Sequence, residues 1–233
     1  MDDTFDINCN IYIFHGAAHL TDAMIARAES SSLPYIVSSV TGKRSPSARR
    51  HSLAAVLLMM YAAEKSFGLS SGQLSVERTE NGKPFFANAP DCCFNLSHSS
   101  GAAVCITAPF PVGIDIEDRE RKVDVSVMRR VCTQLELADI YSSPSPLTCF
   151  LRIWTLKESY IKATGDGLKF PLKNIEFRTG SEPASANRPG LFFQTETEGM
   201  ILAAAALIPN ELPQIFAPKL TEVSPESLLP YLG

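Results

Sequence analysis

A few short stretches of the chain carry side chains whose types and spacing suit chemistry. In Val112-Gly113-Ile114-Asp115-Ile116-Glu117, apolar and acidic residues alternate. On a strand, Ile114 and Ile116 would face a core while Asp115 and Glu117 project together from the other face. Two carboxylates sharing a small volume suit a hard cation such as Mg²⁺, which completes its shell with waters and phosphate oxygens. An amphipathic strand ending in solvated acids has the same pattern. Gly113 would let a ligand or a second backbone approach closely. A second stretch is WTLKESYIK (154–162). At about 3.6 residues per turn, Leu147, Leu151, Trp154 and Ile161 form one stripe, and Glu158 falls on it. A carboxylate on an apolar face needs a partner: Lys162 four residues on, a metal, or both. The plainer alternative is a surface Glu-to-Lys pair worth about 0.3–0.5 kcal/mol.

A third stretch, FNLSHS (94–99), reads as a strand end, with Phe94 and Leu96 inward, Asn95 and Ser97 outward, and His98 at the loop. A hydroxyl and an imidazole there suit a phosphate, and a structural loop histidine is the alternative. Adjacency of Ser97 and His98 does not make a nucleophile and base, and no G-x-S-x-G is present. Scattered cations complete the set. Lys83 follows an Asn81-Gly82 turn, and Lys43, Arg44, Arg49 and Arg50 surround a helix start, where free backbone N–H groups attract phosphate. Taken singly, each is a solvated surface cation. The chain has no G-x-G-x-x-G or Walker loop, so a nucleotide would be held by side chains.

These residues need elements to position them. Residues 20–31 read as a short helix capped by Thr21. A longer one starts at Ser45-Pro46, carries Leu53, Val56, Leu57, Met60 and Tyr61 on one stripe, and stops at Gly68. Strand-like pieces follow: LSVERT, FF, CCFNLS, AAVCIT after a turn at 99–101, and VGIDIE after the Pro109-Phe110-Pro111 corner. Residues 124–134 and 146–163 have helical periodicity, and NIEFR, LFFQT and MILAAAALI return to strands. Residues 180–190 read as a flexible connection and the last 20 as a loosely packed tail. The order, helix then strands, occurs twice. It predicts an α+β fold of two lobes, 1–110 and 111–233, divided at the proline corner.

Composition bounds the function. The chain has 233 residues, 21 basic and 25 acidic, for a formal charge of −4. A nucleic-acid grip usually needs a clear basic excess, so nucleic acid is set aside as a partner. The longest apolar stretch, 53–63, has 11 residues, short of the roughly 18 that a bilayer span needs. The opening MDDTFD lacks the basic start of a secretory signal. A cytoplasmic protein without a membrane partner is expected. Its six cysteines, Cys9, Cys92, Cys93, Cys105, Cys132 and Cys149, show no CxxC or zinc spacing and read as free thiols.

Taken together and in order, GKP (82–84), FNLSHS (94–99), GIDIE (113–117) and WTLKESYIKATGDGL (154–168) resemble the motifs of the 4′-phosphopantetheinyl transferases, in their Sfp-type monomeric branch. A looser match to the helix at 50–57 extends the resemblance upstream. It implies a pseudo-dimeric α+β fold of two similar α/β lobes with the active site in the cleft between them. It also implies transfer of the phosphopantetheine arm of coenzyme A to a serine of an apo acyl or peptidyl carrier protein, releasing 3′,5′-ADP. By the resemblance, Asp115, Glu117 and Glu158 are the ligands of Mg²⁺, or of Mn²⁺ in its place. Lys162 is the cation near the transferring phosphate, with Glu158 and Asp115 beside it as catalytic groups. Ser97, His98, Lys83 and Arg50 contact coenzyme A, Arg50 at the 3′-phosphate. Residues 118–135, with Arg119, Arg121, Lys122, Arg129 and Arg130, would dock an acidic carrier. Lys43 and Arg44 lie only six or seven residues before Arg50, closer than the family's upstream basic residues. Two other readings stand beside this one: a non-catalytic coenzyme A or carrier-binding module on the same fold, and a Mg²⁺-dependent phosphohydrolase.

Overall fold

A computed structural model of the protein describes residues 8–167, 170–178, 183–208 and 216–232. The chain opens with strand β1 (Asn10–His15) and helices α1 (Asp22–Glu29) and α2 (Pro34–Val40). Thr21 caps α1, as the sequence predicts, by accepting from Met24 N. Helix α2 was not expected; it begins with Pro34, whose fixed φ suits a first helical position.

The long helix α3 (Pro46–Phe67) has the predicted punctuation. Ser45 Oγ accepts from Ala48 N at 3.1 Å, and Gly68 ends the helix at φ +69°. Its buried face is wider than the expected stripe. Val56 and Tyr61 are half-buried, while Ala54, Ala55, Leu58, Met59, Ala62 and Ala63 are also covered. The cause is that α3 is enclosed by strands on one side and by α2 and the chain's end on the other.

Strands β2 (Val76–Arg78) and β3 (Pro84–Phe86) form a small hairpin around the 79–83 turn. Then β4 (Cys93–Ser99) and β5 (Ala102–Ala108) pair antiparallel across the predicted turn, where Ser100 and Gly101 both take positive φ. The first sheet runs β11-β1-β5-β4. Strand β11 (Lys219–Glu222) lies parallel to β1, with Ile11 opposite Leu220. The tail is therefore not loosely packed. Val223, Leu228, Tyr231 and Leu232, the last three on and after helix α7 (Pro225–Leu228), bury against α3, and Tyr231 donates to Glu64 at 2.8 Å. Residues 219–232 thus pack on the first lobe although they follow the second in sequence.

The second sheet has the order β6-β10-β9, from β6 (Val112–Asp118), β9 (Leu191–Thr197) and β10 (Met200–Ala206). The helix predicted over 124–134 is α4 (Val125–Val131), and a second helix that was not expected, α5 (Gln134–Ser142), follows it. They break at Thr133, whose hydroxyl accepts from Glu136 N while Glu136 accepts from Thr133 N, a capping box that starts a new helix. Helix α6 (Pro146–Thr164) then runs to Gly165. Of the expected connection 180–190, residues 180–182 lie outside the described residues; 184–185 form strand β8 (Ala184–Ser185) paired with β7 (Phe177–Arg178). Leu168 of the last motif also lies outside them.

Side-chain alternation makes four layers of these parts. In the first sheet, Tyr12, Phe14, Ala103 and Cys105 face α3, while Ile11, Ile13, Val104 and Ile106 face the opposite way. There they meet Val112, Ile114 and Ile116 of β6 with Leu202 and Ala204 of β10. The other face of β10, with Ala203 and Ala205, packs on α6. Each lobe is thus a sheet carrying one long helix, with a shared apolar core between the sheets. This is the α+β arrangement expected.

Candidate active site

The site follows from that layering. With Ile114 and Ile116 committed to the inter-sheet core, Gly113, Asp115 and Glu117 must face α6. There the strand and helix approach so closely that a Cβ on Gly113 would lie 2.0 Å from Ser159 O and 2.4 Å from Ala163 N. Only a residue without a side chain fits. The two acids are consequently buried, Asp115 at 5% and Glu117 at 8% exposure, rather than solvated at a strand end.

Strand β4 runs beside β6 without a backbone ladder, and its side chains bridge the gap. Asn95 Oδ1 accepts from Ile114 N at 3.0 Å, Ser97 Oγ donates to Asp115 Oδ1 at 2.9 Å, and Ser99 Oγ donates to Glu117 Oε2 at 3.3 Å. The sequence reading had Leu96 inward and Asn95 and Ser97 outward. Instead Asn95 and Ser97 are buried and Leu96 is half-buried, because the outward face of β4 is the face turned to the second lobe.

Helix α6 closes the cluster. Lys162 Nζ donates to Asp115 Oδ1 at 2.7 Å and to Ser97 Oγ at 2.9 Å. Glu158, one turn earlier and 8% exposed, lies on the same side. The predicted Glu158–Lys162 pairing takes another form: Lys162 bonds Asp115, and no ion pair joins it to Glu158 among the described residues. Burial, then the Asp115 charge, raises the Glu158 carboxyl to about 7, against the pull of Lys162. Glu117 is raised by burial and by Asp115, a rise moderated by Arg121 and by the hydrogen bonds of Trp154 and Ser99. Both Glu117 oxygens are engaged, Oε1 by Arg121 and by Trp154 Nε1 (3.0 Å), Oε2 by Ser99. Trp154 and Ser99 were not read from the sequence as site residues, and Arg121, expected in the carrier-docking run, instead bonds Glu117.

Asp115 Oδ2 and Glu158 Oε1 are buried and have no hydrogen-bond partner. Among the described residues no group of three or more His, Cys, Asp or Glu side chains is arranged to hold a metal ion. The donor set nonetheless fits a hard cation in part, since one oxygen of Asp115 and one of Glu158 lack the donors that buried carboxylates ordinarily have.

The cleft itself has a volume of about 230 Å³ and is lined by Lys83, Asn95, Glu158, Ile161 and Lys162 among others, with Gly165 and Gly167 at its edge. His98 points away from the Asp115 cluster. Its ring centroid is 5.8 Å from that of His51, on the first turns of α3. Partial burial, then the positive surroundings of His51, Lys162 and Lys43, lowers its pKa. His51 is therefore a further candidate for an anion site, one that the sequence reading passed over. Lys83 lies in the cleft wall, but its Nζ is bonded to the carbonyls of Ala163 and Val112. Arg50 does not join the group: its Nη2 pairs with Asp22 Oδ1 at 2.6 Å. In the docking segment, Lys122, Arg129 and Arg130 are exposed, while Arg119 pairs with Glu196 at 3.3 Å.

A two-lobed α+β protein with an ammonium and a carboxyl lining the cleft between lobes, and further carboxylates and a hydroxyl bonded next to them, is equipped to bind and polarise a phosphate-bearing ligand. Comparison with known proteins narrows that class. Residues 39–110 match the model of the 4′-phosphopantetheinyl transferase N-terminal region, and residues 111–205 that of the 4′-phosphopantetheinyl transferase superfamily. The chain belongs to that superfamily. A 4′-phosphopantetheinyl transferase of Bacillus subtilis is 36% identical over 124 residues, covering 52% of this chain and 55% of the relative. The human L-aminoadipate-semialdehyde dehydrogenase-phosphopantetheinyl transferase is 33% identical over 140 residues, 54% of this chain and 45% of its own. The chain thus spans about half the length of the curated relatives it matches. A solved holo-[acyl-carrier-protein] synthase from Neisseria meningitidis aligns at 20% identity and a TM-score of 0.38, over 42% of this chain and 98% of its own.

Proposed function

We propose that the protein transfers the 4′-phosphopantetheine arm of coenzyme A to a serine of an apo acyl or peptidyl carrier protein. The observation that carries this reading is that Glu158 and Lys162 line the inter-lobe cleft while Lys162 bonds Ser97 and Asp115 behind it, with Asp115 Oδ2 and Glu158 Oε1 unpartnered. Asp115 and Glu158 would hold Mg²⁺, or Mn²⁺, with Glu117 joining them where Arg121 releases it. When bound, the cation neutralises charge on the pyrophosphate of coenzyme A.

In the proposed step the carrier serine Oγ forms a bond to the β-phosphorus of coenzyme A. The bond from that phosphorus to the bridging oxygen breaks, and 3′,5′-ADP leaves. Glu158 is proposed to take the serine proton. Lys162 offsets the charge that grows on the departing phosphate. Ser97 and His98 are proposed as contacts for coenzyme A phosphates, the latter together with His51 and Lys43. Arg50 would serve at the 3′-phosphate by exchanging its exposed Asp22 partner for that anion. The exposed Lys122, Arg129 and Arg130 are the proposed docking face for an acidic carrier.

A cleft completed by two lobes of one chain supports a monomer. No helix among the described residues is long and apolar enough to cross a membrane, and a cytoplasmic site of action is part of the proposal. Incubating the protein with coenzyme A, Mg²⁺ and an apo carrier, then weighing the carrier, tests the proposal. The expected result is a mass gain of one phosphopantetheine, slowed on the order of 10²-fold in Asp115→Ala. No gain across fatty-acid, polyketide and peptide carriers would overturn it.

A further inference from the structure

The loop between β2 and β3 reaches from the first lobe to the second. Lys83 Nζ donates to Ala163 O at 2.8 Å and to Val112 O at 3.3 Å. Ala163 follows Lys162 in the last turn of α6, and Val112 opens β6 three residues before Asp115. Two residues earlier in the same loop, Asn81 Nδ2 donates to Gly165 O at 3.0 Å. Carbonyls in the last turn of a helix have no partner within it, and a cation there is favoured by the helix dipole. The first lobe supplies both the missing donors and the charge.

The fit leaves little slack. A Cβ on Gly165 would lie 3.4 Å from Lys83 Cδ, and one on Gly167 3.5 Å from Asn81 Cβ. Two of the three ammonium donors are spent on backbone, and the lysine stem forms cleft wall. The two tied elements are also the two that carry the cluster, β6 with Asp115 and Glu117, α6 with Glu158 and Lys162.

We infer that Lys83 is a positioning residue that fixes β6 against α6, and so Asp115 against Glu158 and Lys162, rather than a contact for the phosphates of coenzyme A. Its kinetic consequence rests on the transferase reading; its structural consequence does not. The test uses the full chain with Lys83→Met, which keeps the stem and removes the donors, and Asn81→Ala, a change at an exposed residue that removes the neighbouring tie. Two measurements are made on each.

In hydrogen exchange without ligands, amides of residues 112–115 and 163–166 are expected to exchange at least tenfold faster in Lys83→Met, and to a smaller extent in Asn81→Ala, with β1 unchanged. In transfer kinetics, kcat is expected to fall about tenfold while KM for coenzyme A stays within threefold. Unchanged exchange overturns the inference. A raised KM for coenzyme A with kcat unchanged overturns it in favour of a direct phosphate contact. Faster exchange with both constants unchanged reduces Lys83 to a structural tie and also overturns it. A wild-type protein inactive on every carrier defeats the transferase reading and the positioning role with it, while the exchange result still decides whether the tie exists.

Discussion

Glu158 is held in an environment that resists its ionisation. It is buried beside Asp115 and Glu117, and the nearest ammonium, that of Lys162, is already bonded to Asp115. Asp115, Glu117 and Glu158 face Lys162 and Arg121, so the fully ionised cluster is short of positive charge. A dication would supply it. Without one, the carboxyl raised to about 7 contributes stability that is fully present below its unfolded value and is lost as pH rises through about 7. The ligand-free protein is therefore expected to melt at lower temperature at pH 8 than at pH 5.5. Glu158→Gln, which is neutral at both, should be the more stable form at pH 8, by on the order of 3 kcal/mol if the whole shift is expressed. The difference should narrow as pH falls toward the unfolded value of 4.5 and shrink when Mg²⁺ is added. Thermal unfolding of both proteins at the two pH values checks this; a wild type more stable at pH 8 than its Gln variant in the absence of metal would contradict it.

At the scale of elements, the contact of β6 with α6 decides whether the cluster exists at all, and Gly113 is where it is tightest. A methyl group there meets backbone atoms of Ser159 and Ala163, which cannot turn aside as a side chain tip can. Gly113→Ala should cost about 3 kcal/mol or more and abolish transfer. Gly72→Ala, where a Cβ meets nothing within 4 Å, should stay within about 0.5 kcal/mol of wild type. Chemical denaturation measures both. Much of this arrangement was legible in the letters. The alternation in VGIDIE placed both acids on one face, and the spacing of Trp154, Glu158 and Ile161 placed Glu158 inward. The partners of those acids were harder to read. Asn95, Ser97 and Ser99 repeat with period two, as Asp115 and Glu117 do, but nothing local says that two strands from different lobes lie side by side. The same limit hid the tail: β11 pairs with β1 across roughly the whole chain, and short proline-punctuated strands resemble loose ends until their partner is known. Lys157 was passed over for another reason. Nothing in its neighbours marks it, yet it is fully buried, bonded to Glu136 at 2.5 Å and to the carbonyls of Val131 and Leu172. Only the junction of α4, α5 and α6 creates that site.

For the whole molecule, the formal charge of −4 conceals a separation. Asp115, Glu117 and Glu158 are buried together between β6 and α6, and the exposed Lys122, Arg129 and Arg130 lie on the loop and helix that follow β6. On the proposed transferase reading, an acidic carrier would meet weak net repulsion at long range and these cations at short range. Steering by such a face acts through association rate and fades as salt shortens the reach of charge, from about 10 Å at 0.1 M to about 3 Å at 1 M. Arg129→Glu combined with Arg130→Glu should therefore lower kcat/KM for the carrier about tenfold at low ionic strength, with the deficit narrowing steadily as salt is raised. KM for coenzyme A should be unchanged, because neither arginine bonds to any cleft residue. These arginines are exposed, and reversing their charge in the last turn of α4 should cost only about 1 kcal/mol, so the variant should still fold. Carrier kinetics at several salt concentrations, run beside a coenzyme A titration, decide the matter. A deficit that persists undiminished at high salt would mean that shape rather than charge brings the carrier to the cleft, and a raised KM for coenzyme A would move these arginines from the docking face into the cofactor site.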